Sequence, residues 1–343
     1  MLTLGIETSC DETSVAVLSG RDHVLSNVIS SSLFRHKDFG GVVPEIASRH
    51  SLEQIDTVLT EALSEAKIKL TDIQLIAVTE GPGLSGSLLV GVSFAKALSY
   101  QLGLPLVAVN HLEAHLSANF IGNSEPEKFV GLLVSGGHTS LTFHERGKIS
   151  VMGETVDDAV GEAYDKTAKI LGLEYPGGPE VDRLAKKGNP NAFRFTRPKQ
   201  DNPFNFSFSG IKTAVLYEVK KNQPVIQGSQ VKAHDSRLTT EFIQDMCASF
   251  QKAVVSWVVE KSLAVAREKA VSDIVVGGGV SANSALRAEL TSAAEKEGIR
   301  VWFPPQMLTM DNAAMIARRG LELFESGKRA SLNLTAAPNL SLK

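Results

Sequence analysis

One local plan occurs twice in this chain and limits what it can fold into: an apolar strand, a tight polar turn, then an apolar strand returning. Residues 2–9 and 14–18 read as two strands, Leu2-Thr3-Leu4-Gly5-Ile6-Glu7 and Ser14-Val15-Ala16-Val17-Leu18, joined by Thr8-Ser9-Cys10-Asp11-Glu12-Thr13. A third strand near 24–31 completes a meander. Further along, Phe129-Val130-Gly131-Leu132-Leu133-Val134, the turn Ser135-Gly136-Gly137-His138-Thr139 and Ser140-Leu141-Thr142-Phe143 repeat the arrangement. A polar break at 122–128 separates the two series. Either turn taken alone fits an ordinary hairpin. The glycines after Ser135 also permit positive φ and close backbone approach, which an anion or phosphate cradle requires.

Strands and helices alternate between these units. Pro44 opens a helix after Gly40-Gly41-Val42-Val43, with Ile46, Ile55, Val58, Leu59 and Leu63 on one side. The buried-strand candidate Ile73-Gln74-Leu75-Ile76-Ala77-Val78-Thr79 runs into the glycine-rich loop 80–87 and a helix from Leu88 to about Leu102. That order commonly faces a ligand in α/β folds. It is not a Walker loop, because no Gly-Lys-Ser/Thr follows and Lys96 lies too deep in the helix. Such alternation predicts mixed α/β sheets.

The apolar run 104–109 delivers His111-Leu112-Glu113-Ala114-His115. In a helix capped by Asn110, the two imidazoles lie one turn apart on one face, a spacing that suits two ligands of one divalent metal. Two surface or core histidines would read the same way. A zincin protease needs glutamate directly after the first histidine, and Leu112 occupies that place.

In the second half, a helical pattern spans 157–169 and ends at Gly172, with carboxylates at its start that ordinarily complement the helix dipole. Tyr175-Pro176-Gly177-Gly178-Pro179 opens another helix in which Asp182 can accept from hydroxyls. Residues 189–210 interleave Arg194, Arg197 and Lys199 with Phe193, Phe195, Phe204, Phe206 and Phe208. Single-stranded RNA suits that mixture, and so does a solvated loop with its phenylalanines tucked in. Residues 222–234 read as a surface insertion, followed by a long amphipathic helix from about Thr240 to Ala270. A strand then meets Gly277-Gly278-Gly279, with Asn283 inside the first turn of the next helix. The spacing differs from Gly-x-Gly-x-x-Gly, so a dinucleotide Rossmann site is not supported. After a last strand at 301–305, Asp311 stands at the entrance of a small-residue helix, where an N-cap role is the plain alternative to a ligand role.

The totals are those of an ordinary folded protein: 343 residues, 43% hydrophobic and 21% charged. No signal peptide or membrane span is readable, and a cytoplasmic location is the expectation. Two cysteines far apart, Cys10 and Cys247, fit a reducing compartment and exclude a cysteine zinc cluster. A net charge of −3 gives no whole-surface attraction for nucleic acid.

Together, the two strand–turn–strand units, the glycine loops and the final small-residue helix resemble the nucleotide-site segments of the actin, sugar kinase and Hsp70 ATPase superfamily. More closely, the motifs at 5–13, 40–45, 81–84, 111–115, 133–139, 165–169, 175–179, 206–210 and 278–283 resemble those of the bacterial tRNA N6-adenosine threonylcarbamoyltransferases, across nearly the whole chain. The resemblance implies two actin-like (ribonuclease H-like) domains with mixed five-stranded sheets and an active site in the cleft between them. The first would be 1–125, with the helix 312–327 packing back on it, and the second 126–311. The implied reaction carries threonylcarbamoyl from threonylcarbamoyl-AMP to N6 of adenine 37 in tRNAs reading ANN codons. His111, His115 and Asp311 would hold one divalent metal ion per subunit, iron (Fe2+) or zinc. Leu133, Val134, Ser135, Gly136, Gly137, Asp165, Gly178, Asp182 and Asn283 would bind the adenylate. Asp11 or Glu12 would assist loss of the N6 proton. Implied partners are tRNA, a paralogous actin-like subunit and a small P-loop ATPase, with no membrane. The rival readings are a small-molecule kinase of the same fold, a metalloprotease, or an inactive scaffold paralogue that would have lost the metal triad.

Overall fold

The computed structural model describes residues 1–36, 39–222 and 238–342. Its first sheet contains β1 (Leu2–Glu7), β2 (Glu12–Ser19), β3 (His23–Ser31), β4 (Leu75–Gly81) and β5 (Leu106–Asn110), in the order β3-β2-β1-β4-β5. The three leading strands are antiparallel, whereas β4 and β5 join in parallel. Around this sheet lie α1 (Leu33–His36), α2 (Pro44–Ala66), α3 (Ser85–Leu102) and α4 (His111–Ser117). The second sheet repeats the topology with β6 (Lys128–Val134), β7 (Thr139–Glu145), β8 (Lys148–Glu154), β9 (Asp273–Gly277) and β10 (Arg300–Trp302), ordered β10-β9-β6-β7-β8. Between β8 and β9 run α5 (Val160–Ile170), α6 (Gly177–Ala185), α7 (Ser209–Asn222) and α8 (Thr240–Glu268). The chain continues through α9 (Ser284–Glu295) to α10 (Ala313–Glu325). The duplicated hairpin is therefore the start of a duplicated α/β sheet.

Burial explains the placement. One face of the first sheet packs Leu4, Ile6, Val15 and Val17 against Ile55, Val58 and Leu59 of α2. The other face packs Ala16, Leu75, Ala77 and Val109 against Ala313, Met315 and Ile316 of α10, which arrives from the far end of the sequence. Small residues set that approach: a Cβ on Gly5 would lie 2.1 Å from the Ala313 carbonyl oxygen. In the second half, α8 is buried along much of its length, with Phe250 and Trp257 set among Tyr164, Phe206 and Phe208.

Several sequence expectations are corrected. Glu12 and Thr13 belong to β2, not to the turn, because both extend the ladder with β3. The glycine-loop helix begins at Ser85, three residues earlier than expected. The helix expected from 157 begins at Val160, since Asp157 instead accepts from the Ser207 hydroxyl and the Phe208 and Ser209 amides, and Asp158 pairs with Lys166 and Lys212. Asn283 is the N-cap of α9 and lies outside its first turn, accepting from the Leu286 amide. Asp311 is not a cap, because Asn312 fills that place by accepting from the Met315 amide. Of the two readings of 189–210, the one with tucked-in phenylalanines holds: Phe206 and Phe208 are fully buried, and Phe193, Phe195 and Phe204 pack against the same cluster. Apart from Asn222, the 222–234 segment lies outside the described residues. Strand β8, which the sequence did not announce, is an edge strand whose one buried residue is Gly153. Among the described residues no helix is long and apolar enough to cross a membrane.

Candidate active site

The centre of the site follows from how α4 begins. Strand β5 ends at Asn110, whose side chain accepts from the Leu112 and Glu113 amides and caps the helix. The rings of His111 and His115 then meet edge to face one turn apart, centroids 4.6 Å from each other. Asp311, just before α10, reaches the same point: its Oδ1 lies 3.1 Å from His115 Nε2 and 3.5 Å from His111 Nε2. The three ligand atoms fall within 4.8 Å of one another, the one such group among the described residues. Two imidazole nitrogens and a carboxylate oxygen form a donor set suited to iron or zinc.

A deeper shell fixes this geometry. Glu7, at the end of β1, is fully buried. Its Oε2 accepts from the Thr79 hydroxyl at 2.6 Å and stands 3.0 Å from His111 Nδ1, while Oε1 accepts from the Ser9 amide. The Ser9 hydroxyl is 3.1 Å from the same ring nitrogen. These partners assign the proton to Nδ1, so the Nε2 lone pair of His111 faces Asp311 and His115, the tautomer a metal ligand needs. Burial opposes a charge on His111, but the Asp311 and Glu7 carboxylates overcome it and raise the pKa to about 9. Burial also works against ionising Asp311, yet His111 and His115 hold it down to about 2. The residues present thus fit a divalent cation, whose charge would replace that of the ring proton.

Around the three ligands stand the two turns. The Asp11 carbonyl accepts from the amide and hydroxyl of Ser32, and Glu12 Oε1 accepts from the Ser31 hydroxyl at 3.2 Å. Burial, then Asp311 and Asp11, push the Glu12 carboxyl well above the usual range. In the second turn, Ser135 and His138 close on each other, the Ser135 amide donating to the His138 carbonyl at 2.9 Å and the His138 amide to the Ser135 hydroxyl at 3.0 Å. Gly136 and Gly137 border open space. Burial, then the nearby His111 and His115, lower His138 to about 4, and the triple-glycine loop spans from the turn to the histidines, a Cβ on Gly278 meeting Ser135 Cβ at 3.2 Å and one on Gly277 the His115 carbonyl oxygen at 2.8 Å. Leu133 and Val134 are buried in β6 and paired on its flanks, so the open part of 133–137 is Ser135 to Gly137.

A second cluster lies in the helices of the second half. Asp165 accepts from the Gly177 amide at 2.8 Å, and burial raises its carboxyl. Gly178 borders open space. Both Asp182 oxygens lie 2.9 Å from the Ser284 hydroxyl, and Oδ1 also accepts from Gln251 Nε2 at 3.1 Å. Gln251 Oε1 accepts from Asn283 Nδ2 at 2.9 Å and from the Tyr164 hydroxyl at 3.3 Å. Gln251 therefore joins Asp182 to Asn283, a part that sequence reasoning missed, as it missed Glu7. The readable signal for Gln251 was a polar residue directly after Phe250 in an apolar helix face. For Glu7 it was a carboxylate closing a buried strand.

The family model for TsaD, tRNA N6-adenosine threonylcarbamoyltransferase, matches residues 23–318. The chain belongs to this family. Similar tRNA N6-adenosine threonylcarbamoyltransferases include those of Thermosipho melanesiensis, 49% identical with all of both chains covered, and Clostridioides difficile, 47% identical with 100% of this chain and 98% of the relative covered. That of Symbiobacterium thermophilum is 48% identical over 99% of this chain and 97% of its own. Solved structures show the fold. Component A of Acidaminococcus fermentans (R)-2-hydroxyglutaryl-CoA dehydratase superposes with TM-score 0.55 at 15% identity, over 96% of this chain and all of that one. HypF from T. kodakarensis does so with TM-score 0.62 at 13% identity, over 95% of this chain and 48% of its own. This transferase thus has the actin-like ATPase fold and takes tRNA as its substrate, and the kinase and metalloprotease readings are not favoured.

Proposed function

We propose that this transferase takes the threonylcarbamoyl group from threonylcarbamoyl-AMP and places it on N6 of adenine 37 in tRNAs that read ANN codons. The observation that carries the reading is the meeting of three segments: His111 and His115 face Asp311, the Ser9 hydroxyl of the first turn lies 3.1 Å from His111 Nδ1, and the triple-glycine loop packs Gly277 on His115 and Gly278 on Ser135. In this reading His111, His115 and Asp311 hold one divalent ion, iron or zinc, in the cleft between a first domain of 1–125, completed by the helix 312–327, and a second of 126–311. When bound, the ion supplies Lewis-acid polarisation of donor oxygens. Gly136 and Gly137 receive the donor phosphate through their backbone amides, with Ser135, Leu133 and Val134 behind them. Asp165, Gly178, Asp182 and Asn283 hold its adenosine end.

The mixed anhydride already has a good leaving group, and the exocyclic N6 is a poor nucleophile, so positioning and charge stabilisation dominate the rate. Asp11 or Glu12 receives the proton lost from N6. The protein works in the cytoplasm, with a paralogous actin-like subunit and a small P-loop ATPase.

The test combines purified protein, synthetic threonylcarbamoyl-adenylate and an ANN-reading tRNA transcript, with and without the partner subunits, followed by nucleoside mass spectrometry. Threonylcarbamoyladenosine should form and be lost in His111→Ala and Asp311→Ala. No product with partners present would return the kinase reading. Product surviving both substitutions would remove the metal from the mechanism.

A further inference from the structure

The stretch after β3 carries a feature that the site described above does not use. Phe34 and Phe39 are 71% and 60% exposed, although both belong to a stretch bonded from inside. His36 is fully buried: its Nδ1 accepts from the Val43 amide at 3.3 Å, so its Nε2 donates to the Ser32 hydroxyl at 2.9 Å. The Gly40 amide donates to the His36 carbonyl at 3.2 Å, and Ser32 is tied in turn to the Asp11 carbonyl. The ring of Phe39 is thus displayed by a framework rooted at Asp11 and Glu12.

Lys169 faces this framework from the other half. It lies one turn beyond Asp165 on α5, and a Cβ on Gly40 (φ +66°) would stand 3.4 Å from its Nζ. Among the described residues its ammonium has no acidic partner. The neighbouring Lys166 and Lys212 are both engaged by Asp158, so of these three lysines Lys169 is the one available to an outside anion. A chain with net charge −3 has no general attraction for RNA, so contact has to come from local groups such as these.

We propose that Phe39 and Lys169 clamp a single-stranded nucleotide of the tRNA beside the adenine being modified. The ring stacks on its base and the ammonium holds its phosphate. An exposed ring next to a cation that has no acidic partner among the described residues fits a nucleotide better than a protein partner, which needs a wider apolar patch. The inference rests on the tRNA-modifying reading given above.

The test measures the KM for tRNA, and the affinity for a fluorescent anticodon stem-loop by anisotropy, in Phe39→Ala, Lys169→Ala and the rescue variants Phe39→Trp and Lys169→Arg. Each alanine variant should raise the tRNA KM at least about fivefold. Lys169→Ala should also make the salt dependence shallower by about 0.7. The donor KM and the melting temperature should stay unchanged, and both rescue variants should recover. Wild-type RNA binding in both alanine variants overturns the clamp, and so does normal RNA binding with lost association of a second protein chain. If the wild type modifies no tRNA, yet both variants lose stem-loop affinity, the transferase reading fails and the clamp stands. A wild type without RNA affinity overturns both.

Discussion

Replacing Glu7 by glutamine should weaken metal binding without touching a ligand. Glu7 Oε1 accepts from the Ser9 amide, and Oε2 accepts from Thr79 and from His111 Nδ1. Glutamine has one acceptor oxygen and one donor nitrogen for those two places. If the oxygen faces Ser9, the amide NH2 faces Thr79, whose hydroxyl can rotate to accept, and His111, which can accept only by moving its proton to Nε2. That puts a hydrogen where His111 must offer a lone pair. In the other orientation, the NH2 opposes the Ser9 amide, and two buried donors are left facing each other at about 1–3 kcal/mol. Either route loses a charge-assisted hydrogen bond of about 1.5–3 kcal/mol. At about 1.4 kcal/mol per factor of ten, affinity should fall about 10- to 100-fold. The Ser9 hydroxyl remains as a neutral acceptor for Nδ1–H, which keeps binding from being abolished. Zinc competition against a chromophoric chelator reads the affinity, and a thermal melt of the metal-free protein reads the fold. An affinity within about threefold of wild type, with an unchanged melt, would refute the argument that Glu7 sets the tautomer.

Further tests address other parts of the molecule. Gly5→Ala places a Cβ 2.1 Å from the Ala313 carbonyl oxygen, so α10 must shift; urea unfolding should show a loss of about 2–3 kcal/mol. His144 stacks on Phe129 and is held by burial, and then by Arg319, at a pKa of about 3, below its ordinary 6.5. The unfolded chain therefore takes up that proton first: the contribution to stability is complete above about pH 6.5 and is lost as pH falls towards about 3. His144→Gln should flatten this dependence, by up to about 2–3 kcal/mol between pH 7 and 4.5 in urea midpoints. Gln251→Leu leaves Asp182 and Asn283 without their common partner and should raise the KM for threonylcarbamoyl-adenylate about tenfold.

What was legible in the sequence was what local pattern controls. Apolar alternation in 2–18 and 129–143 specifies hairpins whatever surrounds them, and Asn110 before two histidines at helical spacing specifies both the cap and the shared face. Tertiary context decided the rest. Phe206 and Phe208 carry no periodic signal, and only the packing of α8 behind the second sheet makes them core. Strand β8 borders solvent on its edge, so its side chains lack the burial pattern that marks a strand. The place of Asp311 beside the two histidines depends on a fold that sets it against a helix far earlier in the chain, a separation of 196 residues in its bond to His115. Glu7 and Gln251 act through other side chains and have no fixed spacing to them, so no motif reading could pair them with His111 or Asp182.

The order in which the chain leaves the ribosome gives the position of α10 a further meaning. When the first sheet has emerged complete through Asn110, the face carrying Gly5, Ala16, Ala77 and Val109 is still bare, because its cover is encoded after residue 312. His111 and His115 emerge with that sheet, and Asp311, which faces both, comes with the cover. The nascent first half therefore presents two imidazoles and an apolar surface through the whole synthesis of the second half. Assembly of the His111–His115–Asp311 group and closure of the first core become one late event, which leaves a truncated product adhesive and without the complete group.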